Sequence, residues 1–174
     1  MSSEMPGMNH GASSSSPEFN DADVAFVTGM IPHHQQAVEM ADMILAKGGV
    51  DERVTELARS IKAAQEPEIE TMTAWLEEWG QPAAGMDGMN GMEGMDHGGG
   101  MMSDDDMAAL EAADGPEASR LFLEQMIQHH QGAIDMAVVE VDAGKNADAL
   151  ALAQTIADAQ TAEIATMQGM LAGL

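Results

Sequence analysis

Cysteine and tyrosine are both absent from the 174 residues, and Lys and Arg total only 6 against 30 Asp and Glu, a formal net charge of −24. Without cysteine there are no disulfides, no thiolate metal sites and no Cys nucleophile. The shortage of positive charge excludes nucleic acid and anionic membrane surfaces as partners, since both would repel such a surface. It favours cationic partners or a high-salt milieu. Three Phe and two Trp are too few for aromatic stacking platforms. No apolar run approaches the roughly 20 residues of a membrane span. No export signal is visible either. Residues 1–17 are polar and rich in Gly and Ser, and read as a disordered tail. They suit a mature chain whose signal was removed, with residues 13–17 as a tether and a lipid anchor at the removed terminus as one form of that reading. What is abundant is methionine, at 18 residues as frequent as glycine.

Hydrophobic periodicity places four long helices. The first opens at Asn20 and Asp21, both N-cap residue types, and stops at Gly48-Gly49. At about 100° per residue, Phe26, Val27, Met30, His33, His34, Ala37, Met40, Ala41, Ile44 and Leu45 form one stripe, so both histidines face inward. Pro32 predicts a kink and leaves the Thr28 carbonyl without its helical partner. The second helix runs from Asp51 to Gly80. Its stripe is Val54, Leu57, Ile61, Met72, Trp75, Leu76 and Trp79, with Gln65 and Glu68 inside it and a second kink expected at Pro67. Residues 85–102 are Gly, acids and Met with one Asn and one His, have no packing face, and read as a mobile linker. Ser103 and Asp106 suggest a capping box opening a short helix to about Ala113. Gly115-Pro116 opens a third long helix ending at Gly144, and Asn146 caps a fourth that runs to the C-terminus.

The halves repeat. Met30-Ile31-Pro32-His33-His34-Gln35-Gln36-Ala37-Val38-Glu39-Met40-Ala41 aligns with Met126-Ile127-Gln128-His129-His130-Gln131-Gly132-Ala133-Ile134-Asp135-Met136-Ala137, an offset of 96. Ile61, Gln65, Glu68, Ile69, Met72 and Leu76 align with Ile156, Gln160, Glu163, Ile164, Met167 and Leu171 at an offset of 95. Two duplicated hairpins that bury their stripes together predict an all-α four-helix bundle. Residues 81–115 are long enough to cross it end to end, which favours a ferritin-like connection. The expected organisation is a tail over 1–17 and one bundle over 18–174: hairpin 18–80, Met/Gly-rich linker 81–102, short helix 103–113 and hairpin 114–174.

Inward His and Glu must be hydrogen-bonded, paired or metal-bound. One reading has His33 or His34 satisfying Glu68, and His129 or His130 satisfying Glu163. The other is metal binding, because adjacent histidines flanked by methionines bring imidazole and thioether together. Thioether is soft and suits Cu(I); zinc and iron would not recruit it. Met86, Met89, Met92 and Met95 recur at every third position beside His97, Met101 and Met102, and Met5, Met8 and His10 lie in the tail. These read as a flexible metal-capture set. Core packing is the competing reading for Met72 and Met167. Methionine in place of cysteine also suits an oxidising compartment. His-dependent sites would lose metal below about pH 6.5, the ordinary imidazole value, while thioether sites would keep it. A di-iron enzyme requires Glu-x-x-His motifs on core helices, and none occurs.

The block from Met30 to Ala41, and the block Arg120-Leu121-Phe122-Leu123-Glu124-x-Met126-Ile127-x-His129-His130-Gln131-Gly132-Ala133-Ile134-x-Met136-Ala137, resemble the two signatures of the domain of unknown function 305 family. The likeness covers roughly residues 18–174. It implies a ferritin-like fold, a bacterial protein often exported or lipid-anchored, and a link to copper binding and resistance. By matching position, it implies Met30, His33, His34, Met40, Met126, His129, His130 and Met136 as the functional set. Glu68, Glu163, Met72 and Met167 lie close by as auxiliary groups. Gln128 replaces Pro32 in the second half, which implies a differently shaped second site.

The expectation is therefore a non-enzymatic, extracytoplasmic copper-binding protein. Cu(I) is preferred, with Cu(II) or Ag(I) as alternatives, and copper is sequestered or passed to a transfer protein. The rivals are a structural or interaction module whose His and Glu only satisfy the core, and a ferritin-like redox enzyme. Oligomeric state is not readable from the sequence.

Overall fold

A computed structural model describes residues 18–82 and 99–174. Met5, Met8, His10, Met86, Met89, Met92, Met95 and His97, and residues 83–98 of the linker expected to be mobile, lie outside the described residues. Among the described residues there are five helices and no strand: α1 (Asp21–Leu45), α2 (Glu52–Glu78), α3 (Asp104–Ala112), α4 (Gly115–Ala143) and α5 (Ala147–Ala172).

The caps follow the local chemistry. Asn20 accepts from the Ala22 and Asp23 N–H groups, and Asp23 returns a bond to the Asn20 N–H. Ser103 and Asp106 form the same reciprocal box at α3, and Asn146 caps α5 through Asp148 and Ala149. Such caps satisfy donors that the first helical turn leaves unpaired. Helix α1 continues through Pro32 and α2 through Pro67. Both prolines are exposed, as is Thr28. The carbonyls they orphan therefore face water, which is where a helix tolerates the missing bond.

Helix α1 packs on α2, α4 packs on α5, and α1 and α4 join the two hairpins. Two apolar clusters run across all four long helices. One takes Phe26 and Met30 of α1, Met72 and Leu76 of α2, Ala133 and Ala137 of α4, and Ala149 and Ile156 of α5. The other takes Met40 and Ile44, Val54 and Ile61, Phe122 and Met126, and Met167, with Leu110 of α3. Helices α1 and α5 therefore run one way and α2 and α4 the other. The end of α2 and the start of α4 therefore lie at opposite ends of the long helices, about 40 Å apart at 1.5 Å per residue.

The ends are pinned by polar side chains. Asp23 accepts from the backbone N–H groups of Lys145 and Asn146, tying the start of α1 to the α4–α5 turn. At the opposite end Ser119, the repeat counterpart of Asp23, accepts from the Asp51 N–H. Beside Asp23 lies Glu140, 1% exposed, where the repeat has the apolar Ile44.

Candidate metal centre

Between the two apolar clusters lies a polar layer, and helical register builds it. In α1, His33 and His34 follow Met30 by three and four positions and so share its inward face, with Ala37 and Met40 beyond. Helix α4 repeats this with Met126, His129, His130 and Ala133. Gln65 of α2 and Gln160 of α5 enter the same layer. All four histidines are at most 1% exposed. The rings of His33 and His129 meet across the α1–α4 contact with centroids 3.7 Å apart and planes tilted by 36°.

Hydrogen bonds fix the rings. His34 Nε2–H donates to Glu68 Oε2 at 2.6 Å, and His130 Nε2–H donates to Glu163 Oε2 at 2.5 Å. His33 Nε2–H donates to the Gly99 carbonyl at 2.9 Å. Carboxylate and carbonyl oxygens only accept, so each bonded nitrogen carries the hydrogen, which in His33 leaves Nδ1 of the neutral ring as a bare lone pair. Nδ1 of His33, His34 and His130, and Nε2 of His129, are buried with no hydrogen-bond partner among the described residues. Gln65 Oε1 and Gln160 Oε1 are in the same condition. Burial pushes the His33 imidazole down to about 4, against the weaker raising effect of its bond to Gly99. Burial, reinforced by the neighbouring histidines, drives His129 well below the ordinary value. Both rings are therefore neutral, the form that ligates metal, through the whole physiological range.

Sulfur flanks the layer. Met30, Met40, Met72, Met126 and Met167 are fully buried, and Met136 is half-buried. Met30 and Met72 belong to one apolar cluster, with Met136 packed against it; Met40, Met126 and Met167 belong to the other. Among the described residues no three His, Asp or Glu groups converge closely enough to hold an ion by themselves. Glu68 and Glu163, each bonded to the far nitrogen of a histidine, hold the position by which carboxylates orient metal-ligating imidazoles.

The periodicity of the sequence does not reveal the segment that covers His33. Gln36 donates to the Met102 carbonyl at 2.9 Å and accepts from the Met102 N–H at 2.8 Å. Residues 99–102 are thereby strapped across α1 and α4. Gly100 has φ +80, and a Cβ on it would lie 2.4 Å from the Gln128 carbonyl. A Cβ on Gly132 would lie 1.4 Å from the Gly99 oxygen. Only glycine at 132 allows the strap to seat, and the repeat position in α1 is Gln36, which clamps it. Met102, expected in a mobile linker, is instead 6% exposed in the core, and Met101 is half-buried.

Solved structures share this fold. A Deinococcus radiodurans fragment described as DUF305 is 34% identical, with a TM-score of 0.79, covering 91% of this chain and 100% of that one. A Streptomyces coelicolor DUF305 protein, named as a candidate secreted protein, is 34% identical with a TM-score of 0.78, covering 87% and 93%. CopM in its Cu(I)-bound form is 31% identical with a TM-score of 0.71, covering 87% and 96%. CopM is also known in Cu(II)-bound and Ag-bound forms. No curated protein matches the chain significantly. The family model described as Domain of unknown function (DUF305) matches residues 23–171, and the chain belongs to that family.

Proposed function

We propose that this protein binds copper outside the cytoplasm, Cu(I) in preference to harder ions, and sequesters it or hands it to a transfer protein without catalysing a reaction. The observation that carries this reading is the set of four buried imidazole nitrogens with no hydrogen-bond partner, in a layer flanked by fully buried methionines. An unpaired buried polar atom costs about 1–3 kcal/mol. A soft cation that takes nitrogen and sulfur together would remove that cost. CopM, with its copper-bound and silver-bound structures, lends the reading outside support. The directions of the helices and the long return between α2 and α4 support a ferritin-like four-helix bundle. The strong negative charge would raise the local cation concentration.

One observation favours the rival structural reading. His34 and His130 each already have a carboxylate partner, so those two pairs satisfy one another without metal. The rival leaves Nδ1 of His33, His34 and His130 and Nε2 of His129 unexplained. Competition against a chromophoric Cu(I) chelator, with Zn²⁺ in parallel, separates the two. Tight retention of Cu(I), lost when His33, His34, His129 and His130 are all changed to Gln, is the expected outcome. Undiminished retention in that variant, or stronger retention of Zn²⁺, would return the histidines to a structural role.

A further inference from the structure

On the outer side of the strap, where residues 101–107 lie against the solvent edge of α1, there is a cleft of about 420 Å³. Three methionines line it: Met101, Met102 and Met107. Glu39 and Asp104 line it as well, and among the described residues no Lys or Arg does. The strap is the shared wall between this cleft and the histidine layer. Gln36, whose amide clamps the Met102 backbone, lines the cleft, while Gly99 on the same strap caps His33.

Packing does not account for all these thioethers. Met102 is buried in an apolar cluster and Met107 packs at its margin, but Met101 is half-buried and belongs to neither cluster. An unbranched apolar side chain held at a solvent-open cleft, beside two other thioethers and two carboxylates, has little hydrophobic reason to be there. It has a coordinating one. Thioether sulfur is a soft, uncharged donor that carries no proton, so it selects monovalent d¹⁰ ions and keeps them in mild acid. The carboxylates add negative potential that draws a cation in.

We infer that the cleft between α1 and residues 101–107 is a second, surface site for a soft monovalent cation, Cu(I) or Ag(I), held by the thioethers of Met101, Met102 and Met107. It is separate from the histidine layer and one strap's thickness from it. The inference rests on the copper reading above in so far as the cleft would load ions bound for that layer. Met107, five residues past the Met101-Met102 pair, reaches the site because α3 packs onto α1.

The test is a titration of the full chain, carrying ¹³C-methyl methionine, with silver nitrate in chloride-free buffer at pH 7 and pH 5. Met101 and Met107 methyl signals, assigned from the single Leu variants, are expected to shift in the first equivalents at both pH values. The double variant Met101→Leu/Met107→Leu nearly conserves volume. It is expected to keep its helical circular dichroism and lose one tightly held silver equivalent. The four-histidine variant is expected to keep that equivalent. Shifts confined to Met30, Met126 and other core methyls would overturn the cleft and leave the histidine layer standing. Shifts at the cleft alone would uphold it and remove the layer. No shift anywhere would overturn both. Equal shifts with Zn²⁺ would overturn the assignment to a soft ion.

Discussion

His33 and His129 stand face to face at the middle of the molecule, where neither can carry charge without cost. A base whose folded value lies below its unfolded value favours the fold above the unfolded value, and that contribution is lost as pH falls towards the folded value. For His33 the window is from 6.5 down to about 4, and the loss amounts to roughly 3 kcal/mol across it. In metal-free protein, urea unfolding at pH 7 and pH 4.5 should show a drop in midpoint that is smaller in His33→Gln. A drop of equal size in the two proteins would show that His33 is not buried as described. The same burial changes the acid behaviour of any bound copper. The ordinary imidazole value predicts loss of His-held metal below about pH 6.5. With His33 at about 4, protons do not compete seriously for that ring at pH 5, so metal held by His33 is expected to stay bound there. Glu140 has the opposite sign. Burial pushes its carboxyl up to about 8, with the Asp23 carboxylate adding to the rise. Stability is therefore lost as pH climbs from about 4.5 to 8, where the unfolded chain ionises and the folded one does not. Glu140→Gln removes the ionisable group and with it that slope. A thermal melting series from pH 5 to 8 should be flatter for the variant; identical slopes would mean that Glu140 is ionised in the fold.

At the scale of single elements, the strap over residues 99–102 does the most with the fewest residues. Gln36→Ala removes both of its bonds to Met102 and should cost about 1–3 kcal/mol. Gly132→Ala puts a methyl group where the Gly99 oxygen sits, so the strap must lift and His33 Nε2–H loses its acceptor. The ¹⁵N shifts of the His33 ring should then report a changed tautomer balance while His34, held by Glu68, stays as it was. An unchanged His33 ring in Gly132→Ala would contradict the strap geometry. The helices themselves were legible because inward residues recur with helical period and because the repeat writes them twice. Their caps were legible because Asn20, Ser103 and Asn146 are strong local signals. The strap was not legible. A four-residue segment has no period, and its seat is a difference between the repeats, Gln36 against Gly132, inside blocks that otherwise match. Met107 escaped for the same reason, since only tertiary folding brings α3 to α1. Helices α1 and α2 continue through Pro32 and Pro67, both of which sit on solvent faces.

Across the whole molecule the polar layer is sandwiched between two apolar clusters, each drawing on all four long helices. A core divided this way is expected to close without a ligand. Chelator-treated protein should keep high helicity by far-ultraviolet circular dichroism and melt cooperatively; helicity that appears only on adding copper would contradict this. The layer was legible as inward His, Gln and Glu on matching stripes. Which histidine pairs with which carboxylate, and which nitrogens stay bare, depends on side-chain geometry that spacing does not encode. Whether those bare nitrogens take metal is answered most directly by anomalous scattering from a crystal soaked in Cu(I) or silver. The expected map has a peak in the layer between the two apolar clusters, within bonding reach of His33 Nδ1 or His129 Nε2 and of a methionine sulfur. A map with peaks only at the surface and none in the layer would contradict the histidine–methionine centre.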